Sequence, residues 1–108
     1  MTKHDRPRKV TVKVATSYAD LQKNLKETVE DISLIQSISS KILSDFVLDE
    51  AIRQARTSIS KNGLAMIINT HEDHRAAALV ELKASLISKQ ATLDEEIKRL
   101  KHFYSELP

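Results

Sequence analysis

LVELKASLISKQATLDEEIKRLKHFYSEL, residues 79–107, places leucine at 79, 86, 93, 100 and 107, seven apart throughout. A seven-residue repeat returns to nearly the same side of an α-helix, so these leucines form one stripe, which Leu82, Ile97, Phe103 and Tyr104 widen. Thr70-His71-Glu72-Asp73 has the form of a capping box just ahead of it, so a helix is expected over 71–107. At ~1.5 Å per residue that helix spans roughly 55 Å. A compact domain of about 100 residues has a radius of gyration near 13 Å. A helix this long must lie along another long helix or pair with a second chain.

The companion is found upstream. Tyr18, Leu21, Leu25, Val29, Ile32, Ile35, Ile38, Ile42 and Phe46 recur at three and four residues. Thr16-Ser17 offers an N-cap, and Ser44-Asp45 a break, which predicts a helix over about 17–45. Val47, Leu48, Ala51, Ile52 and Ala55 continue as a short helix over about 46–60, with Lys61-Asn62-Gly63 as its stop. Leu64-Ala65-Met66-Ile67-Ile68 fits a short buried strand or a helical turn equally well. The expected fold is therefore mainly α: an elongated antiparallel helical hairpin or bundle with a long C-terminal helix. A basic N-terminal arm carrying one β-strand precedes it. Residues 1–8 form the flexible part of the arm, and residues 9–108 make a single helical domain.

Composition narrows the function. In 108 residues there are one glycine, two prolines and no cysteine, with 41% apolar and 30% charged residues. Average usage would supply about seven glycines per hundred residues, so turn-rich β folds and glycine-rich phosphate loops are disfavoured together. Without cysteine there is neither a disulfide framework nor a thiolate metal site. No apolar run approaches the ~20 residues of a membrane span, and the polar start lacks the core of a secretory signal. The expectation is a cytoplasmic protein with no membrane association.

No catalytic constellation is present. A nucleophile with a neighbouring base at recognisable spacing is missing, so the chain is read as no enzyme and is assigned no cofactor. His71-Glu72-Asp73-His74 sets two histidines at i, i+3, but a zinc site needs about four ligands. The acidic pair there is explained by the preference of a helix's first turn for negative charge. No metal site is assigned.

Binding surfaces are better supported. Ser33, Ser37, Ser40 and Ser44 follow i, i+4, i+7, i+11, a narrow stripe opposite the isoleucine face if the helix runs to residue 45. Hydroxyls in place of the usual Lys and Glu let another helix approach closely, which makes these four serines the expected partner contact. Leu79, Leu86, Leu93, Ile97, Leu100 and Leu107 are assigned to packing or dimerisation. With the leucines at d, the a positions are Lys83, Gln90, Ile97 and Tyr104, a poor seam for a parallel two-stranded coiled coil. Residues 70–78 hold Arg75 as the only permanent cation, which excludes a basic zipper.

Charge is segregated: Lys3, Arg6, Arg8, Lys9 and Lys13 face Asp5 alone in residues 1–14, and the rest of the chain is mildly acidic. Val10, Val12 and Val14 alternate with polar residues and precede a capped helix. Over residues 8–30 this resembles the start of a ribbon-helix-helix repressor, whose strand pairs across a dimer and enters the major groove. The resemblance would make Lys9, Thr11 and Lys13 reading residues, with Arg6 and Arg8 beside them on phosphates. The unbroken pattern from Tyr18 to Phe46 departs from the short first helix of that family. The leading expectation is a non-enzymatic interaction protein, an adaptor or inhibitor, that homodimerises and binds a protein partner through helical surfaces. The alternative is a dimeric DNA-binding regulator acting through Arg6, Arg8, Lys9, Thr11 and Lys13.

Overall fold

The computed structural model describes the backbone over residues 5–105 and the side chains over residues 18–103. Within them lie α1 (Asp5–Ile38), α2 (Asp45–Gln54), α3 (Ser58–Ile68) and α4 (Glu72–Ser105). The backbone of residues 9–17 belongs to α1, so continuous helix takes the place of the expected strand at 9–14 and of the Thr16-Ser17 cap, while the side chains of these residues and Leu107 fall outside the described residues. The mainly α class holds, and no strand occurs among the residues described.

The two long helices answer each other's length. α1 and α4 pair antiparallel: Lys83 Nζ donates to Gln36 Oε1 midway, while Asp20 and Leu21 line one hollow with Arg99 and Leu100. The molecule extends 62 × 23 × 16 Å. Leu79, Leu86, Leu93 and Ile97 are buried by this pairing within one chain, and Leu100 is half-buried. The leucine stripe is thus satisfied by the chain itself, which removes the length argument for a dimer.

The other helices cover only one half of the hairpin. α2 runs back along α1 and α3 returns beside α4, so one end is a four-helix bundle. Its core joins Ile35 and Ile38 to Leu48, Ala51, Ala55, Leu64, Ile67, Leu79, Leu82 and Leu86. The other end is a bare pair of helices, with Leu21 and Leu25 half-buried on the side of α1.

Three further boundaries differ from those expected, each for a local reason. α1 ends at Ile38 rather than near 45. Ser37 and Ser39 donate their hydroxyls back to the carbonyls of Leu34 and Ile35, at 2.6 and 2.8 Å. Such bonds compete with the helical ladder, and a run of serines lacks the propensity to resist. The chain then turns through residues 39–44, and Ser44 caps α2 by accepting from the Val47 N–H at 3.2 Å.

The expected helix 46–60 is broken instead at Ala55–Thr57, and 64–68 is helical as part of α3. Thr57 caps α3, its hydroxyl oxygen accepting from the Ser60 N–H at 3.1 Å. Finally, Thr70 does not cap α4. Its hydroxyl donates back to the Met66 carbonyl at 2.9 Å, and His71 Nδ1 accepts from the Asp73 N–H at 3.2 Å.

Gly63 therefore stops nothing; it sits inside α3, and its φ is not positive. Its role is to let α3 approach α4, since a Cβ there would lie 2.5 Å from Leu82 Cδ1. Glycine within a helix costs about 1 kcal/mol relative to alanine, so the close approach outweighs that cost only while Leu82 occupies the space. Gly63→Ala should accordingly lower the melting temperature of the wild-type chain and raise it in a Leu82→Ala background. Thermal melts of the four variants check this reversal of sign.

Candidate functional site

Two buried charges organise the bundled half. Asp31, on α1, is 1% exposed. Its Oδ1 accepts from the Arg56 N–H at 2.9 Å, and its Oδ2 from the Thr57 N–H and hydroxyl at 2.8 and 2.7 Å. Thr57 Oγ1 lies 3.0 Å from Ser60 Oγ, which extends the network into α3. Burial by itself would raise the Asp31 pKa. The hydrogen bonds from the Thr57 hydroxyl, the Arg56 N–H, the Ser60 hydroxyl and the Thr57 N–H outweigh it and hold the carboxyl below its ordinary value.

Arg75, on the first turns of α4, is 5% exposed. Its guanidinium donates to the carbonyls of Thr70, Leu43 and Ile68 at 3.1, 2.9 and 2.8 Å, and to Asp45 Oδ1 at 2.7 Å. It ties the α1–α2 turn to the α3–α4 turn. Both charges bond mainly to backbone groups, with the Thr57 hydroxyl added on Asp31 and the Asp45 carboxylate on Arg75, and among the described residues no buried side-chain polar atom lacks a partner. Their bonds hold turns in place, so both act on shape.

The surface above Arg75 has a different character. Ile42 is 88% exposed and Phe46 77% exposed, four residues apart on either side of the Ser44 cap. Ile42 and Leu43 share a concavity of about 430 Å³ with Ala76 and Val80, with Lys41 and Glu72 at its rim. Val80 is itself 69% exposed. Large apolar side chains gathered in a polar rim have the composition of a protein-binding surface.

The expected contact residues scatter. Ser33 and Ser37 are exposed on α1, Ser40 is exposed in the turn, and Ser44 caps α2 beside the concavity. The stripe required a helix that continued to residue 45, and the chain turns after Ile38, so the four serines do not form one face. His71 and His74 are exposed, with ring centroids 6.1 Å apart and planes at 64°. Among the described residues no three His, Asp or Glu converge to hold a metal ion. Arg6, Arg8, Lys9, Thr11 and Lys13 lie outside the described side chains.

Asp31 and Arg75 carried a signal in the sequence that periodicity alone passes over. Asp31 stands between Thr28 and Ile35 on the inward side of α1, and Arg75 is in phase with Leu79, Leu82 and Leu86. A charge on an otherwise apolar face calls for a partner. Comparison with protein-family models, curated proteins and solved structures yields no match.

The lowered pKa of Asp31 fixes the sign of an acid effect. The unfolded carboxyl titrates near 3.9, so its stabilisation is complete above about pH 4 and fades as pH falls through the lower folded value. Asp31→Asn puts an amide N–H₂ against N–H donors and should cost about 2–3 kcal/mol at neutral pH. Urea melts at descending pH should show wild type and variant converging below about pH 4, wild type losing the difference.

Proposed function

We propose that the chain is a non-enzymatic interaction protein, an adaptor or inhibitor, that dimerises and buries the surface at the turn end of its hairpin against a protein partner. The exposure of Ile42 and Phe46 carries this reading. Ile42 stands on the turn and Phe46 in the first turn of α2, and the bonds of Arg75 and Ser44 tie the two together, so little ordering cost would be met on binding. Exposed aromatic and branched side chains on a fixed frame are the usual centre of a binding hot spot. No helix among the described residues is long and apolar enough to cross a membrane.

The test uses the full chain as bait, comparing wild type with Ile42→Asp combined with Phe46→Ser. Both positions are exposed, so the melting transition should move little. Recovery of a bound protein should fall at least about tenfold, a loss of roughly 1.4 kcal/mol or more. A Lys61→Asp control, exposed on α3, should recover it in full. Equal recovery by all three baits contradicts the reading.

One observation favours nucleic acid as a second reading. Lys98, Arg99 and Lys101 lie at the end of α4 that pairs with Asp20 and Leu21, and the basic residues Arg6, Arg8, Lys9 and Lys13, with Thr11, precede these in sequence. Deleting residues 1–14 should abolish salt-dependent binding of a random DNA duplex under this reading and leave protein capture intact.

A further inference from the structure

The leucine stripe is not the only heptad on α4. Ala77, Val80, Ala84, Ile87 and Ala91 follow i, i+3, i+7, i+10, i+14, and all five are exposed. At 100° per residue this second stripe lies nearly opposite the buried Leu79, Leu86 and Leu93. An outward helix face normally carries Lys, Glu and Arg. Here charge appears only beyond the apolar run, with Asp73 before it and Asp94 and Lys98 after it on the same line. Val80 and Ile87 are 69% and 47% exposed, so the stripe has bulk as well as alanines.

We infer that this outer face of α4 is a homodimer interface at which a second copy of the chain packs antiparallel. The inference rests on the reading of the chain as an interaction protein that dimerises, and it narrows that reading to one face and one orientation. Two features choose the occupant. The first is size. In an antiparallel pair with its two-fold axis between Ser85 and Leu86, Val80 faces Ala91 of the other copy, and Ala84 faces Ile87. Every branched side chain then meets an alanine, the alternation of large and small that fills an interhelical seam.

The second feature is charge. The same register sets Asp73 against Lys98 of the other copy, at both ends by symmetry. Parallel pairing in register would instead stack alanine on alanine and set Asp73, Asp94 and Lys98 each against its own like charge. Small residues at the seam let the two axes approach to about 8 Å, where ridges of one helix fill grooves of the next. The leucine face, already satisfied inside each hairpin, takes no part.

Light scattering across a range of micromolar concentrations reads the mass of wild type, Ile87→Glu and Ala84→Glu. The last two alter exposed positions, and circular dichroism confirms that each remains helical. Wild type should be dimeric, and both variants should raise the dissociation constant at least about tenfold. A monomeric wild type overturns the inference, as does a dimer indifferent to both variants. If protein capture through Ile42 and Phe46 survives in a monomeric wild type, the broader interaction reading survives without dimerisation or this interface.

Orientation is tested by cysteine pairs, clean in a chain that has none. Ala77→Cys mixed with Asp94→Cys should form a mixed disulfide, because those positions face each other across the antiparallel seam. Ala77→Cys alone should not cross-link, its two copies being about 25 Å apart at ~1.5 Å per residue. A disulfide in Ala77→Cys alone would show parallel pairing and overturn the inference.

Discussion

A single carboxylate decides how the middle of this chain is folded. Asp31 collects two consecutive backbone N–H groups and a hydroxyl from the α2–α3 turn, at 2.7–2.9 Å. The bonds end α2 and start α3, and they fix the height at which that turn meets α1. A buried carboxylate without such donors would cost several kcal/mol, so the turn has one favourable position rather than a range. Arg75 does the corresponding work at the other end of the bundled half, gathering carbonyls from two turns. The two charges are not partners of each other. Asp31 is met chiefly by backbone N–H dipoles and Arg75 by three carbonyls and the Asp45 carboxylate, and between them they clamp the short hairpin at both ends.

The rest of the surface follows from that clamp. Because α2 and α3 are held over one half of the long hairpin, the turn at residues 39–44 is rigid even though it is irregular. Ile42 and Phe46 are thereby presented outward rather than folded into the core. α4 is covered by α1 on one side and by α3 on a second, near Gly63 and Leu82, where only a hydrogen fits between the helices. Its third side is left open. The apolar residues on that side have no role in folding a single chain, and a face of this composition is a candidate for burial between chains.

The long helices were legible because leucine at every seventh position has one geometric reading, and the lengths of α1 and α4 then required each other. The breaks were less legible. At Ser37-Ile38-Ser39-Ser40 the hydrophobic period runs on through Ile42 to Phe46, and only the back-bonding of serine hydroxyls shows why the helix stops. At Ala55–Thr57 the cause is a residue 25 positions away, which no local window contains. Gly63 misleads for the same reason: its meaning is set by Leu82, not by its neighbours in sequence. The second heptad of α4 was visible in principle but hidden by the first, since alanines seldom stand out beside leucines. The serine stripe failed with the helix that was to carry it.

The central claim, that Asp31 pins the α2–α3 turn, is tested most directly by amide hydrogen exchange at Arg56 and Thr57. Their N–H groups belong to a short connection between helices, where exchange is ordinarily fast. Bonded to a buried carboxylate, they should open only when the bundle does, and so exchange about as slowly as the amides of Ile35 and Leu86 in the core. Exchange at the rate of an exposed loop would show that the turn is free of Asp31, and would contradict the account.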